Sequence, residues 1–270
     1  MVIDFHTHTF PDAMAPKTIA GLEKAGGIRA HTDGTLSGLR ESMRRAGIDW
    51  SVVLPVVTKP HQFHTINKVA AEITGRDGII SFGGIHPDTE DYKGELKTIK
   101  ELGLKGIKLH PDYQKTFIDD ERYVRIIDYA AELSLITVIH AGIDIGLPSP
   151  VHCPPGRTAR MLKSLDAEHA EIVLAHTGGY DQWDEVEEYL VGKPVYMDIS
   201  YSLHRIGKEQ FIRIVSDHGA DRMLFATDSP WGGQKETLEM FCGLPLTEEE
   251  KDRILYQNAL KLLGMDRETD

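Results

Sequence analysis

Two histidines near the start of the chain have the spacing of metal ligands. His6 and His8 are separated by one residue and follow the apolar run Val2 to Phe5. In a strand, alternate side chains point to the same face, so the two imidazoles would lie about 6.6 Å apart along the strand. That spacing lets both rings bind one metal ion. The same alternation predicts that Asp4 faces the same side.

Composition limits the kind of protein that carries these histidines. A chain of 270 residues can bury one large core and has the length of an α/β barrel. Its net charge of −12 argues against nucleic acid or an anionic membrane as a partner. There are only two cysteines, no N-terminal signal pattern and no apolar run as long as a membrane span. This combination indicates a cytoplasmic protein.

The rest of the chain alternates short apolar stretches with amphipathic ones. Eight strand-like stretches each precede a helix-like one, which predicts a single closed (β/α)8 TIM barrel over residues 1–270 with a C-terminal helix. After the first strand, the predicted strands are 50–57, 79–85, 106–110, 135–140, 171–176, 194–199 and 222–228, and residues 9–33 are expected to form a long irregular functional loop. An open doubly wound sheet would need a Gly-rich phosphate loop where this chain has His-Thr-His-Thr.

Polar residues fall at the ends of the predicted strands. They are His6 and His8 on strand 1, His86 on strand 3, Lys108 and His110 on strand 4, His140 on strand 5, His176 on strand 6 and Asp228 on strand 8. In a (β/α)8 barrel these ends surround one mouth, where the active site lies. Any one of these histidines alone could be a core residue. Together with a carboxylate they predict a metal site, because three or four such ligands with an open position make a catalytic centre.

These residues resemble the amidohydrolase superfamily of metal-dependent (β/α)8 barrels. The resemblance rests on His6-Thr-His8, Val138-Ile-His140, Leu174-Ala-His176-Thr-Gly-Gly and Phe225-Ala-Thr-Asp228-Ser-Pro-Trp, in this order over nearly the whole chain. The short chain and the Asp-Ser-Pro-Trp-Gly sequence are similar to the amidohydrolase-2 branch, which includes aminocarboxymuconate-semialdehyde decarboxylase.

The resemblance implies a role for each motif. His6, His8, His140 and Asp228 would hold one divalent metal, and His176 would polarise the substrate or stabilise negative charge. Asp228 would also be the general base toward metal-bound water, whose pKa falls to about 7 on a metal. Histidine with carboxylate suits zinc, manganese, iron or cobalt, and we expect zinc.

Lys108 has three alternative roles. Binuclear members of the superfamily carry a carboxylated lysine on strand 4 that bridges two metals. Alternatively, a free ammonium binds a substrate carboxylate, or the side chain lies on the helix-facing or rim side, outside the mouth. We expect one metal and an unmodified Lys108 that faces an anionic substrate group. His110 has the same parity and would face the mouth with it, and His86 is a candidate outer partner of the site.

The loops beside the predicted mouth supply further candidates. Arg157 opens the helix after the Pro-rich loop 146–156, where a guanidinium and a helix N-terminus together could bind an anionic group. The alternative is a solvated arginine. Trp231 could form a wall of the pocket, and we interpret His152 and Cys153 as loop packing.

Two function classes follow from these residues. The first is an enzyme, either a hydrolase of an amide, ester or lactone or a decarboxylase of an unsaturated or aromatic acid. We prefer the hydrolase on the breadth of the superfamily alone. The second class is a non-catalytic metal-binding barrel. The expected partner is a small-molecule substrate that carries a carboxylate, and the sequence leaves the oligomeric state open.

Overall fold

A closed parallel barrel organises the chain in a computed structural model. The structure describes residues 1–167 and 169–265. Within them, nine β segments are present, and β3 and β4 are parts of one strand position interrupted at Phe82, so the barrel has eight strands. The segments are β1 Ile3–Thr7, β2 Trp50–Val53, β3 Ile79–Ser81, β4 Gly83–Gly84, β5 Gly106–Leu109, β6 Ile136–Ile139, β7 Ile172–Leu174, β8 Tyr196–Asp198 and β9 Met223–Leu224.

Parallel pairing runs in chain order and closes on itself. The orders are β1-β2-β3 and β4-β5-β6-β7-β8-β9. The last strand returns to the first, because the Phe5 N–H donates to the Phe225 carbonyl at 2.9 Å and the His8 N–H donates to the Ser229 carbonyl at 2.6 Å. The predicted (β/α)8 TIM barrel is therefore confirmed.

Helices connect the strands along the outside of the barrel. They are α1 Ala15–Gly26, α2 Leu36–Ala46, α3 Phe63–Ile73, α4 Tyr92–Glu101, α5 Pro111–Gln114, α6 Glu121–Glu132, α7 Pro155–Ser164, α8 Trp183–Tyr189, α9 Lys208–His218, α10 Gln234–Cys242, α11 Glu248–Asp252 and α12 Asn258–Leu263. A π-helical turn, Arg253–Gln257, joins the last two, and a Thr247–Glu250 capping box begins α11. In the part of the chain that is described, no helix is both long and apolar enough to cross a bilayer.

The core has two layers. Inside the barrel, apolar side chains fill the lower part, and the rings of Phe5 and Phe82 meet edge to face with centroids 5.9 Å apart. The second layer lies between strands and helices and includes Leu96, Ile107 and Ile126. Because the barrel is packed below, polar strand-end residues have room only at its upper mouth.

Helix α1 lies within the stretch 9–33, which the sequence analysis predicts as irregular. That prediction is wrong for residues 15–26. Pro16 lies in the first helical turn, where its missing N–H has no intrahelical partner to lose. Gly27 ends the helix with a left-handed φ of 65° and donates its N–H to Glu23. The Pro and Gly that suggested a loop are therefore the start and stop signals of a helix.

Strand β1 contains an irregularity that changes which side chains face the mouth. Between Asp4 and Thr7, β1 advances three residues while β2 advances two. The Asp4 carboxylate accepts hydrogen bonds from Gln234 of the outer helix α10 at 2.8 Å, whereas His6 and His8 contact each other at the mouth. The prediction that Asp4 shares their face is wrong, because the extra residue shifts the alternation of side chains.

Candidate active site

Three side chains converge where β1 and the segment after β9 end. His6 Nε2 lies 3.2 Å from His8 Nε2 and 3.4 Å from Asp228 Oδ1, and His8 Nε2 lies 3.1 Å from Asp228 Oδ1. Ligands that share an ion with bonds of about 2.1 Å lie about 3.0 to 3.4 Å from one another in octahedral or tetrahedral geometry. The spacing of these three atoms therefore fits one divalent metal.

The protonation of the two imidazoles supports the same conclusion. His6 Nδ1 lies 2.9 Å from Asp198 Oδ2, and His8 Nδ1 lies 2.8 Å from the Leu54 carbonyl oxygen. Both partners accept hydrogen bonds, so each Nδ1 carries a proton, and in the neutral ring each Nε2 carries a lone pair. Burial also lowers the pKa of His6 well below its usual value, which keeps that ring neutral. Two lone pairs 3.2 Å apart repel each other unless a cation lies between them.

Asp228 is held in an unusual backbone conformation. Its φ is 65°, in the left-handed region, and His176 has a φ of 62°. The Asp228 N–H donates to the His6 carbonyl at 2.8 Å, and the Asp228 carbonyl accepts from the Trp231 N–H at 2.8 Å. Such conformations occur where the surrounding structure requires them, often at functional sites. Burial raises the pKa of Asp228, but the opposing effects of His8, His6 and His176 are larger and lower the pKa below its usual value, so the carboxyl group is ionised.

His140 and His176 form a second pair beside these ligands. His140 Nδ1 lies 3.0 Å from His176 Nε2, and His176 Nδ1 donates to the Ser200 carbonyl at 3.0 Å. His176 Nε2 therefore carries a lone pair when the ring is neutral, and it donates to a substrate only as an imidazolium. His140 is not among the three closely spaced ligand atoms, but its buried Nε2 has no partner within the described residues.

Lys108 is completely buried at the base of the site. Its Nζ lies 3.1 Å from His6 Nε2, which excludes the rim position considered from the sequence. Burial lowers the pKa of the amine to about 8, and the carboxylates of Asp198 and Asp228 oppose that shift. The lysine is therefore mostly cationic at neutral pH. Its two other roles, a bridging ligand and a cation for the substrate, both remain compatible with this position.

Asp198 and Ser200 belong to the site and are absent from the sequence predictions. The Asp198 carboxylate accepts hydrogen bonds from His6 Nδ1 and from the His176 backbone N–H at 3.2 Å. Ser200 Oγ contacts Asp198 and also lies 3.1 Å from His6 Nδ1. One signal was available, since Asp198 is a charged residue in the apolar run 194–199.

Gln114 ties neighbouring strand ends together below the mouth. Its Nε2 donates to the Val57 carbonyl at 2.8 Å and to the Ile85 carbonyl at 2.7 Å, and its Oε1 accepts from the His110 N–H at 3.1 Å. No sequence pattern marks this buried amide. It fixes the height of three strand ends relative to one another, and so the position of the side chains they carry.

The remaining predicted residues divide into two groups. His110 and Trp231 line the cavity above the strand ends, as do Lys108 and Asp228. Arg157 is not among the described residues that line it, because its guanidinium donates to Asp119 at 2.7 Å and lies over the Phe117 ring. This arrangement does not support the expected contact of Arg157 with substrate.

Two other loop and strand-end residues have local partners. His86 Nδ1 accepts the Asp88 N–H at 3.1 Å and makes no hydrogen bond to the metal ligands within the described residues. His152 is bound to Asp112 at 3.0 Å, in agreement with its interpretation as loop packing. Within the described residues, neither side chain lines the cavity above the strand ends.

The cavity over these residues has a volume of about 610 Å³. It opens from the strand ends toward α1, α3 and the segment after β6. Pockets for small molecules have volumes of about 300 to 1,000 Å³. The mouth of the barrel is therefore shaped for a small organic ligand.

Comparison with known proteins identifies the family. The amidohydrolase family model matches residues 3–265. The chain belongs to the amidohydrolase family. It is an enzyme of this type, with a divalent metal as cofactor, and the alternative of a non-catalytic barrel is not supported. No protein of curated function gives a significant match.

Solved structures of similar fold cover nearly the whole amidohydrolase chain. An uncharacterised TIM-barrel protein from Bordetella bronchiseptica is 21% identical with a TM-score of 0.79, and the alignment covers 98% of both chains. A dihydroxybenzoic acid decarboxylase from Polaromonas, with bound manganese and an inhibitor, is 15% identical with a TM-score of 0.71 over 98% of this chain and 97% of that one. A putative 2-pyrone-4,6-dicarboxylic acid hydrolase from Pseudomonas putida is 16% identical with a TM-score of 0.67 over 98% of both chains. At these identities the likeness shows the fold.

Proposed function

We propose that the protein is a hydrolase of a small ester, lactone or amide that carries a carboxylate. His6, His8 and Asp228 would hold a divalent metal, which supplies Lewis-acid polarisation of the substrate carbonyl and activation of water. His140 is the fourth ligand we propose, because its buried Nε2 has no partner within the described residues. We propose zinc as the ion, since imidazoles with one carboxylate are typical zinc ligands. The same donors also bind manganese, which the similar Polaromonas structure contains.

The observation that carries this proposal is the pairing of an ionised carboxylate with a buried cation at one point. Asp228 Oδ1 lies 3.4 Å from His6 Nε2, and Lys108 Nζ lies 3.1 Å from the same nitrogen. Hydrolysis needs a base for the attacking water and positive charge where the carbonyl oxygen becomes anionic. Asp228 is placed to accept the proton. Lys108 is placed to face negative charge, either on that oxygen or on a substrate carboxylate.

Lys108 has a further reason to face the substrate. In this structure its ammonium donates to His6 Nε2. When that nitrogen binds a metal, the buried ammonium loses its acceptor, and an unpaired buried charge is strongly unfavourable. An anionic substrate group supplies a replacement. This supports a substrate with a carboxylate and an unmodified lysine.

Decarboxylation is the second candidate. The fold is similar to that of a dihydroxybenzoic acid decarboxylase, and much of the cavity wall is apolar, which favours release of neutral carbon dioxide. A cation against the leaving carboxylate would instead stabilise the substrate more than the transition state. For this reason we propose hydrolysis ahead of decarboxylation.

One experiment tests both candidates. The purified protein is analysed for metal, loaded with zinc or manganese, and assayed for acid release from esters, lactones and amides and for carbon dioxide release from aromatic acids. Asp228→Asn should lower hydrolysis by about 10² or more, the usual scale for a lost acid–base group. Asp181→Asn is the matched control, because Asp181 pairs with Arg205 on the surface. Carbon dioxide release without hydrolysis, or full hydrolysis by metal-bound Asp228→Asn, would overturn the proposal.

A further inference from the structure

The cavity above the strand ends has a charged part and an apolar part. Among the described residues that line it, the charged side chains are Lys108, Asp144 and Asp228, which lie in β5, after β6 and after β9. The apolar part of the wall comes from α1, α3 and the segment after β6. It includes Met14, Leu22, Ile66, Val69 and Ile145. A ligand that fills the cavity therefore meets charge near the strand ends and apolar surface beside α1 and α3.

Exposed apolar side chains concentrate on this wall. Within the described residues, seven large apolar side chains remain substantially exposed, and three of them line the cavity. These are Met14, Val69 and Ile145, at 59%, 37% and 39% exposure. Single exposed apolar residues are normal, but a cluster that borders a cavity marks a binding surface.

Helix α1 contributes to this wall more than to the core. Of its twelve residues, Ala15 and Ile19 are the buried ones, while Leu22 lines the cavity. The helix approaches the segment after β6 closely, since a Cβ added at Gly26 would lie 3.5 Å from the Ile145 side chain. An apolar ligand in the cavity would cover side chains that the protein itself leaves in contact with water, which is favourable in proportion to the area covered.

We propose that the substrate is amphipathic, with a reactive acyl or carboxylate head at the metal ligands and an apolar chain of medium length between α1 and α3. The position of the head rests on the proposed function. The chain rests on the apolar wall and on the volume of about 610 Å³, which is more than a head group alone would fill. Leu22 and Val69 determine specificity for the chain.

Straight-chain carboxylates from acetate to octanoate test this inference without any turnover. Their dissociation constants for the metal-loaded protein are measured by titration calorimetry. Each added methylene that enters the apolar part should lower Kd about fourfold. The heat capacity change on binding should also become more negative along the series. A Kd that does not change with chain length would overturn the inference.

Substitutions locate the chain. Leu22→Asn and Val69→Asn should each raise Kd for octanoate about tenfold, the equivalent of one to two methylenes, and leave Kd for acetate unchanged. Met240→Asn is the matched control, since Met240 is exposed on α10 and does not line the cavity. Leu22 and Val69 are both partly exposed, so variants at these two positions should fold, and thermal melting checks this.

The outcomes separate this inference from the proposed function. A steep chain-length series in a protein that hydrolyses no ester supports the apolar site and rejects the hydrolase. Hydrolysis with a flat series supports the hydrolase and rejects the apolar site. A steep series that neither α1 nor α3 variant changes would place the chain elsewhere and also reject the inference.

Discussion

Replacing Asp198 by Asn should weaken metal binding although Asp198 is not one of the proposed metal ligands. Its Oδ2 accepts a hydrogen bond from His6 Nδ1 at 2.9 Å, and its Oδ1 accepts hydrogen bonds from the backbone N–H groups of His176 and Ser200 at 3.2 and 3.0 Å. Asn can keep Oδ1 as the acceptor, but then presents an NH2 group to His6 Nδ1. Two donors cannot share that contact, so the His6 proton moves to Nε2, the atom that would bind the metal.

The magnitude follows from this single contact. In the variant, the His6 proton must move back to Nδ1 before Nε2 can bind the metal. This move is unfavourable, because the new amide also donates to Nδ1. Loss of such an outer partner typically costs 10-fold to 100-fold in metal affinity. This corresponds to about 1.4 to 2.7 kcal/mol of binding free energy. The Asp198 side chain is completely buried, so solvent cannot replace the lost acceptor.

Competition with a metal-binding dye measures the effect for zinc and for manganese. Asp198→Asn should show the weakened affinity, and Asp181→Asn should retain the affinity of the unaltered protein. Thermal melting of the metal-free proteins establishes that both variants are folded. A folded Asp198→Asn variant with undiminished metal affinity would refute the reasoning that the tautomer of His6 is set by this carboxylate.

Lys108→Ala should leave one metal equivalent per chain, because we place the lysine on the substrate; two equivalents in the unaltered protein, both reduced in the variant, would show a binuclear centre instead. His218 Nδ1 accepts the Gly192 N–H at 3.2 Å and burial lowers the His218 pKa, so the unfolded chain binds this proton first and stability falls as the pH drops below about 6.5. The loss should reach at most about 1.4 kcal/mol per pH unit, and denaturant unfolding of His218→Gln should show a smaller loss; equal losses would contradict this. At pH 8 iodoacetamide should modify only exposed Cys242, since burial raises the pKa of Cys153 to about 12; mass spectrometry would disprove this by detecting alkylated Cys153 in the folded chain.

The sequence alone determined the barrel and indicated the end of it where the candidate site lies. Strands of a parallel barrel are buried on both faces, so each strand is a short apolar run that can be recognised from the local sequence. His140 and Asp228 each follow such a run, and polar residues in that position are compatible with burial only at the mouth. The family match and the closed sheet confirm the fold that these runs predict.

The local sequence led to wrong structural predictions where one residue pattern is compatible with two different structures. Pro16 and Gly27 are common both in irregular loops and at the two ends of a helix, and only the packing of α1 distinguishes the cases. The irregularity in β1 is likewise a property of pairing with β2, so strict alternation placed Asp4 on the wrong face. In both cases the deciding contacts lie outside the segment itself.

The tertiary structure alone decided the chemical state of the site. Asp198 fixes the proton of His6 across 192 residues, and Lys108 reaches the other nitrogen of the same ring across 102 residues. Strand order and register bring the atoms of each pair to within 3.1 Å, and no pattern within the separate segments predicts these contacts. A sequence can show which side chains are able to bind a metal. Which nitrogen is free to do so depends on hydrogen-bond partners that only folding brings together.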